Sequence, residues 1–186
     1  MERLAAAGIF RMCVPQAYGG GEVDPGTLMS VLETLAHADG STGWCAMMAA
    51  NTSVLAGYLP DAAAREIYGD PAVITGGAFA PSGTAIAGDG GYRVTGRWSF
   101  ASGCQDCAWL MGGSRVLVDG KPRVLPNGTP DIRLMLFPAR AAQVHDTWHV
   151  AGLSGTGSHD IAVDDVEVRA LTAAGCAVRV LAGTAL

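Results

Sequence analysis

The hydrophobic pattern of this chain changes period once, near residue 70, and that change limits the folds open to it. Before it, apolar residues recur as on one face of a helix: Leu28, Val31, Leu32 and Leu35 fall at i, i+3, i+4 and i+7. Asp24-Pro25 starts that helix, because Asp can accept from the free first-turn amides and Pro is favoured in the first turn. The stripe stops near Asp39-Gly40. Ser41 or Thr42 starts a further helix through Trp44, Met47, Met48 and Val54, and Asp61 caps a short one, AAAREIY. Met1 to Arg11 reads as the end of a helix, and PQAYGGG at 15–21 as a loop.

After residue 70 the pattern is one of short β-prone runs broken by Gly, Pro and Asn. VITGGAFA, TAIAG, YRVTGRWSFAS, AWLMGGSRVLV, IRLMLF and HDIAVDDVEV are the candidate strands, with Asp119-Gly120 and Asn127-Gly128 as turn or loop signals. In the last run Ile161 and Val163 fall out of phase with Val166 and Val168 at Asp164-Asp165, which predicts a bulge or bend. Helices followed by strands make an α+β chain. The expected division is a helical domain over 1–70, a β domain over 71–169 and an atypical tail over 170–186.

Composition narrows the function classes. Acidic residues number 17 against 12 basic, a net charge of −5, which argues against a general nucleic-acid partner. No charge occurs between Gly40 and Pro60, but the hydroxyl and amide residues in that stretch favour a buried helix over a membrane span. The start, MERLAAAGIF, lacks the apolar core of a signal peptide, and five irregularly spaced cysteines read as reduced thiols, so the expected location is cytoplasmic.

Single motifs carry little. Cys104-x-x-Cys107 and His145-x-x-x-His149 are too far apart for a zinc finger, and an extended chain would turn the two thiols to opposite faces. Ser158-His159-Asp160 has the letters of a hydrolase triad but not its geometry, since neighbours on a strand alternate sides. The glycine-rich run 152–158 lacks the Lys of a phosphate loop. It reads as a turn whose backbone comes close to something, with hydroxyls to donate. No metal site and no catalytic base are assigned.

The run GYRVTGRWSFASGCQDCAW at 91–109 is the most informative. Tyr92, Val94, Trp98, Phe100 and Ser102 share one parity, so a continuous strand would carry two large aromatics on one face, followed by the small residues Ala101, Ser102 and Gly103. Such a face suits a flat ring.

Taken in order, LAAAGIFRMCVPQAYGGG, ADGSTGW, GGAFAPSG, GYRVTGRWSFASGCQDCAW and TWHVAGLSGTGSHDIAVDDVEV resemble the acyl-CoA dehydrogenase superfamily over about residues 1–168. GRWSFASG and GTGSHD are closest to its flavin-dependent hydroxylase (monooxygenase) branch, which takes reduced flavin from a separate reductase. The resemblance implies a helical N-terminal part, a β-barrel-like antiparallel middle domain and a C-terminal helical bundle, with the chain truncated before that bundle. It implies a flavin, FAD or FMN, against the middle domain. Ala78, Phe79 and Ala80 would lie by the ring or ribityl chain. Phe100, Ala101, Ser102 and Gly103 would lie at the isoalloxazine, with Trp44 closing over it.

The implied substrate is a small molecule, an acyl-CoA or an aromatic or polycyclic compound. The implied partners are a flavin reductase and either further copies of the chain or a chain carrying the bundle, on which an otherwise inactive fragment would depend. Ser154 stands where the family commonly has Arg, and the Asn51-Thr52 region lacks a histidine found in several hydroxylases.

Overall fold

The computed structural model describes residues 1–169; the expected tail at 170–186 lies outside them. Four helices come first: α1 (Glu2–Ala6), α2 (Pro25–Ala38), α3 (Gly40–Ser53) and α4 (Asp61–Tyr68). Asp24 caps α2 as expected, accepting from the Gly26 and Thr27 amides at 2.9 and 3.0 Å. Two cap assignments change. The N-cap of α3 is Asp39, which accepts from Thr42 N–H at 2.7 Å, so one aspartate ends α2 and starts α3. Asp61 is the first residue inside α4, where its carboxylate pairs with Arg65 instead of capping.

Seven strands follow: β1 (Thr75–Gly88), β2 (Gly91–Trp98), β3 (Trp109–Val118), β4 (Lys121–Pro122), β5 (Ile132–Pro138), β6 (Gln143–His145) and β7 (Asp160–Arg169). The α+β order holds. The two runs VITGGAFA and TAIAG are one strand, β1, with a register shift between Ala78 and Gly83. The bulge expected at Asp164-Asp165 is present. Two residues there face the single Thr95, Asp165 takes φ +53°, and its amide is bonded to Thr95 Oγ1 at 2.9 Å.

The sheet is mixed instead of antiparallel, and its order β4-β3-β1-β2-β7-β6, with β5 also on β3, does not close. Connectivity explains this. The chain turns from β1 into antiparallel β2, then crosses over and returns along the other edge of β1, so β3 must run parallel to β1. The barrel-like character survives as curl. Trp98 on β2 and Phe137 on β5 are separated in the sheet by β1 and β3, yet their ring centroids are 6.0 Å apart. They share one core with Val94, Leu110, Val116, Ile161 and Val163.

Trp98 is the pin of that curl. It is fully buried, and its indole N–H donates to the Gly113 carbonyl at 2.7 Å. The ring lies on Gly83, Gly96 and Gly112; a Cβ at Gly96 would stand 2.7 Å from it, and at the other two closer still. Only glycine leaves room for an indole there. A second core joins helices to sheet: Val14, Leu55, Ile67 and Tyr68 pack with Met111 and Leu136. Burial of each large side chain there contributes about 2 kcal/mol.

Candidate functional site

Strand β2 stops at Trp98, four residues before the sequence pattern predicts. Phe100 adopts φ +63° and Gly103 φ +70°, so the alternation does not carry through. The single aromatic face expected of Trp98 and Phe100 therefore does not exist. Trp98 points into the sheet core, whereas Phe100 is 69% exposed. The segment 99–103 is a loop, held by Ala101 N–H to the His159 carbonyl (3.0 Å) and Gly103 N–H to the Thr156 carbonyl (2.8 Å). Residues 104–106 form a single 3-10 turn, so the CxxC segment is not extended either.

That loop meets α3 and the glycine-rich segment 152–159. Trp44, on α3, donates its indole N–H to Ser102 Oγ at 2.9 Å. Ser102 Oγ lies 2.7 Å from Ser158 Oγ, which lies 2.7 Å from Thr156 Oγ1. Thr156 Oγ1 donates to the Leu153 carbonyl at 2.9 Å, and Trp148 Nε1 donates to the same carbonyl at 3.1 Å. Phe100 stands edge-on to Trp148, centroids 6.1 Å apart at 90°. The three hydroxyl residues are all buried.

The structure thus brings Trp44, Phe100, Ala101, Ser102 and Gly103 to one place. Ala101 turns its side chain into the sheet core, as does Ala78; the Ala101 backbone is bonded to His159 and Cys104, and Ala78 is in register with Gly112 in the sheet. Phe79 and Ala80 lie in the bulged part of β1, exposed, with Phe79 at 39%. Trp44 is 44% exposed. Large flat side chains left this open are costly in water unless something covers them. Ser158, Thr156 and Trp148 join this cluster without having been candidates in the sequence. The only signal was the hydroxyl-rich glycine run, whose partner across the chain no spacing reveals.

Other candidates resolve as structure. His159 Nδ1 accepts the Thr147 and Trp148 amides, both at 3.2 Å, and Ser158 is bonded to hydroxyls, so the two form no nucleophile–base pair. With two N–H donors on Nδ1, Asp146 at 3.5 Å is a neighbour and not its ion-pair partner. Cys104 and Cys107 donate to the Gly157 and Gly103 carbonyls. Burial pushes the thiols of Cys45, Cys104 and Cys107 up, which makes them poor nucleophiles at neutral pH. Among the described residues no group of three His, Cys, Asp or Glu is placed to hold a metal. No helix among them is long and apolar enough to cross a membrane.

A cleft of about 500 Å³ lies beside the relay, lined by Asp39, Ser41, Thr42, Gln105, Thr156 and the adjoining glycines. It is polar and excludes Trp44, Phe79 and Phe100 from its lining. Trp44 and Phe100 instead stand exposed on either side of the Ser102 segment. Hydrogen bonds from Thr42 hold the Asp39 carboxyl below the usual carboxylate range.

Residues 1–66 match the family model of the acyl-CoA dehydrogenase N-terminal domain. Among curated relatives, the indole-3-acetate monooxygenase of Acinetobacter baumannii is 38% identical over 170 residues, 90% of this chain and 42% of that protein. The oxygenase subunit HsaA of a flavin-dependent monooxygenase from Rhodococcus jostii is 34% identical, covering 90% and 42%. Among solved structures, XiaF from Streptomyces sp., in complex with FADH2 and glycerol, superposes with a TM-score of 0.80 at 32% identity, over 90% of this chain and 41% of that one. The chain spans about two fifths of the length of the curated relatives it matches.

Proposed function

The chain belongs to the acyl-CoA dehydrogenase superfamily, and from that premise we propose that it supplies the flavin-facing wall of the oxygenase component of a flavin-dependent monooxygenase. The observation that carries this reading is the exposed aromatic rim of Trp44 and Phe100, tied through Ser102 to a buried hydroxyl chain. The residues present fit a flavin ring: flat, exposed apolar faces at Trp44 and Phe100 to cover it, and the Ser102 hydroxyl between them and the hydroxyl chain.

Flavin, when bound, supplies the electrons that activate oxygen for transfer to an aromatic substrate. The chain's own part is to bind and orient. The aromatic faces exclude water from one side of the ring, and the Trp44–Ser102 bond fixes the angle of the indole that stacks there. Phe79 and Ala80 extend the wall along β1. In this reading a separate reductase delivers reduced flavin, and the substrate resembles those of the monooxygenase relatives in being aromatic.

The test is anaerobic titration of the chain with reduced FAD and reduced FMN, followed by tryptophan fluorescence. Stoichiometric quenching is expected, and Trp44→Ala weakens binding about tenfold through loss of one stacking face. Unchanged affinity in both Trp44→Ala and Phe100→Ala rejects the wall. Bleaching of oxidised flavin by an acyl thioester in the presence of the chain would replace oxygenation with dehydrogenation.

A further inference from the structure

The hydroxyl chain behind Trp44 has only one allowed direction. An indole N–H can only donate, so Ser102 Oγ accepts from Trp44. At the other end a carbonyl can only accept, so the Thr156 proton goes to Leu153. Without that proton, two oxygens 2.9 Å apart would face each other with lone pairs alone. Each hydroxyl has one proton to give. With Thr156 committed, the 2.7 Å contact to Ser158 must use the Ser158 proton, and the 2.7 Å contact from Ser158 to Ser102 must use the Ser102 proton. Thr156 and Ser158 are 2% and 4% exposed, so water does not enter to scramble the order.

Toward anything beyond Ser158, Ser102 is therefore an acceptor only. Its proton points inward, and what it can offer outward is a lone pair. Donation inward also makes its oxygen a better acceptor, which tightens the Trp44 bond.

We propose that Thr156 and Ser158 are positioning residues that, by holding the Ser102 proton inward, make the wall select a ring carrying an N–H over the same ring carrying a bare nitrogen. For a flavin this is selection of the reduced over the oxidised form, whose central-ring nitrogen differs in just this way; the proposal rests on the flavin reading above. The sequence showed hydroxyls in the glycine-rich segment but not which way their protons face. The connection to Leu153 decides that, and through the shared carbonyl the same chain steadies Trp148.

Two variants separate direction from packing. Thr156→Val keeps the shape of the side chain and removes the hydroxyl; Thr156→Ser restores the hydroxyl. In Thr156→Val the Ser158 proton has no inward acceptor and turns to Ser102, which frees the Ser102 proton to face outward. With 15N-tryptophan labelling of the chain, the Trp44 indole N–H signal is expected to move upfield in Thr156→Val and return in Thr156→Ser. The Trp98 signal, bonded to Gly113, serves as the control and stays in place.

In parallel, the ratio of dissociation constants for oxidised and reduced FMN, measured anaerobically, is expected to fall about tenfold in Thr156→Val and recover in Thr156→Ser. If Thr156→Val does not fold, Ser158→Ala breaks the same chain at its middle while the Thr156–Leu153 bond remains. An unchanged Trp44 signal or an unchanged ratio in the folded variant overturns the proposal. The failure of the flavin reading looks different. In that case neither redox form of flavin shifts the wild-type Trp44 signal, while the comparison of wild type with Thr156→Val still reports on the hydroxyl chain.

Discussion

Replacing Gly112 with Ala places a methyl against the six-membered ring of Trp98, well inside van der Waals distance. Trp98 has nowhere to go, being fully buried and tethered to the Gly113 carbonyl. Overpacking of this kind costs about 2–3 kcal/mol. Trp98→Phe, conversely, removes the ring atoms that press on Gly83, Gly96 and Gly112. It leaves the Gly113 carbonyl without its donor, so lost packing and the orphaned acceptor together cost about 3 kcal/mol. Independent effects would sum to about 5–6 kcal/mol. Because the new methyl enters the space the indole vacates, the double variant is expected to cost about 3 kcal/mol, a coupling of about 2 kcal/mol. Urea unfolding followed by far-UV circular dichroism measures all four corners of the cycle without relying on the fluorophore that is removed. Additivity to within about 0.5 kcal/mol would refute the glycine cradle.

Two further outcomes follow from buried polar groups. Burial pushes the Tyr68 phenol from 10.0 up to about 12, and it donates to the Thr52 carbonyl at 3.0 Å. Its contribution is complete below pH 10. Above that the unfolded phenol ionises while the folded one does not, so stability falls by roughly 1.4 kcal/mol per pH unit up to about pH 12. Urea midpoints between pH 9 and 11.5 should show this slope and lose it in Tyr68→Phe; an identical slope in the variant rejects it. Arg11 is buried and donates to the carbonyls of Tyr18, Gly19 and Asp70, at 2.5, 3.3 and 2.8 Å, clamping the loop after Pro15 to the end of α4. Arg11→Met is expected to cost about 3 kcal/mol. It should also open residues 15–22 to limited proteolysis, and unaltered cleavage there would rule out the clamp.

The local signals in the sequence that translated directly into structure are those whose cause lies within a few residues. Asp24 caps α2 because its carboxylate reaches amides two and three residues on. The phase slip at Asp164-Asp165 becomes a bulge because a period-two pattern cannot absorb an odd residue otherwise. The signals that misled involve a choice between local options. Asp39 displaced Ser41 and Thr42 as the cap of α3, and Asp61 sits inside α4 beside Arg65, with no local pattern to say so.

The run from Gly91 to Trp109 shows the boundary between the two kinds of information. Alternation determined that Val94 and Trp98 share a buried face, and the order of motifs carried the resemblance to the acyl-CoA dehydrogenase superfamily, whose N-terminal domain model matches residues 1–66. Alternation could not show that the indole of Trp98 sits in a socket made by Gly96 of its own strand with Gly83 of β1 and Gly112 of β3, because two of those glycines are far away in the chain. Nor could it show that Phe100 flips to φ +63°, which separates the two aromatics it had placed together. Ser102 stood out in the sequence as a candidate, but the direction of its hydroxyl did not. A hydroxyl in a sequence can donate or accept. Only contacts to Trp44, 58 residues away, and through Ser158, 56 residues away, fix which it does. Sequence determined the parts whose physics is local; the tertiary structure decided the direction of the hydroxyl protons from Ser102 to Thr156, because direction depends on both ends of a chain that only folding assembles.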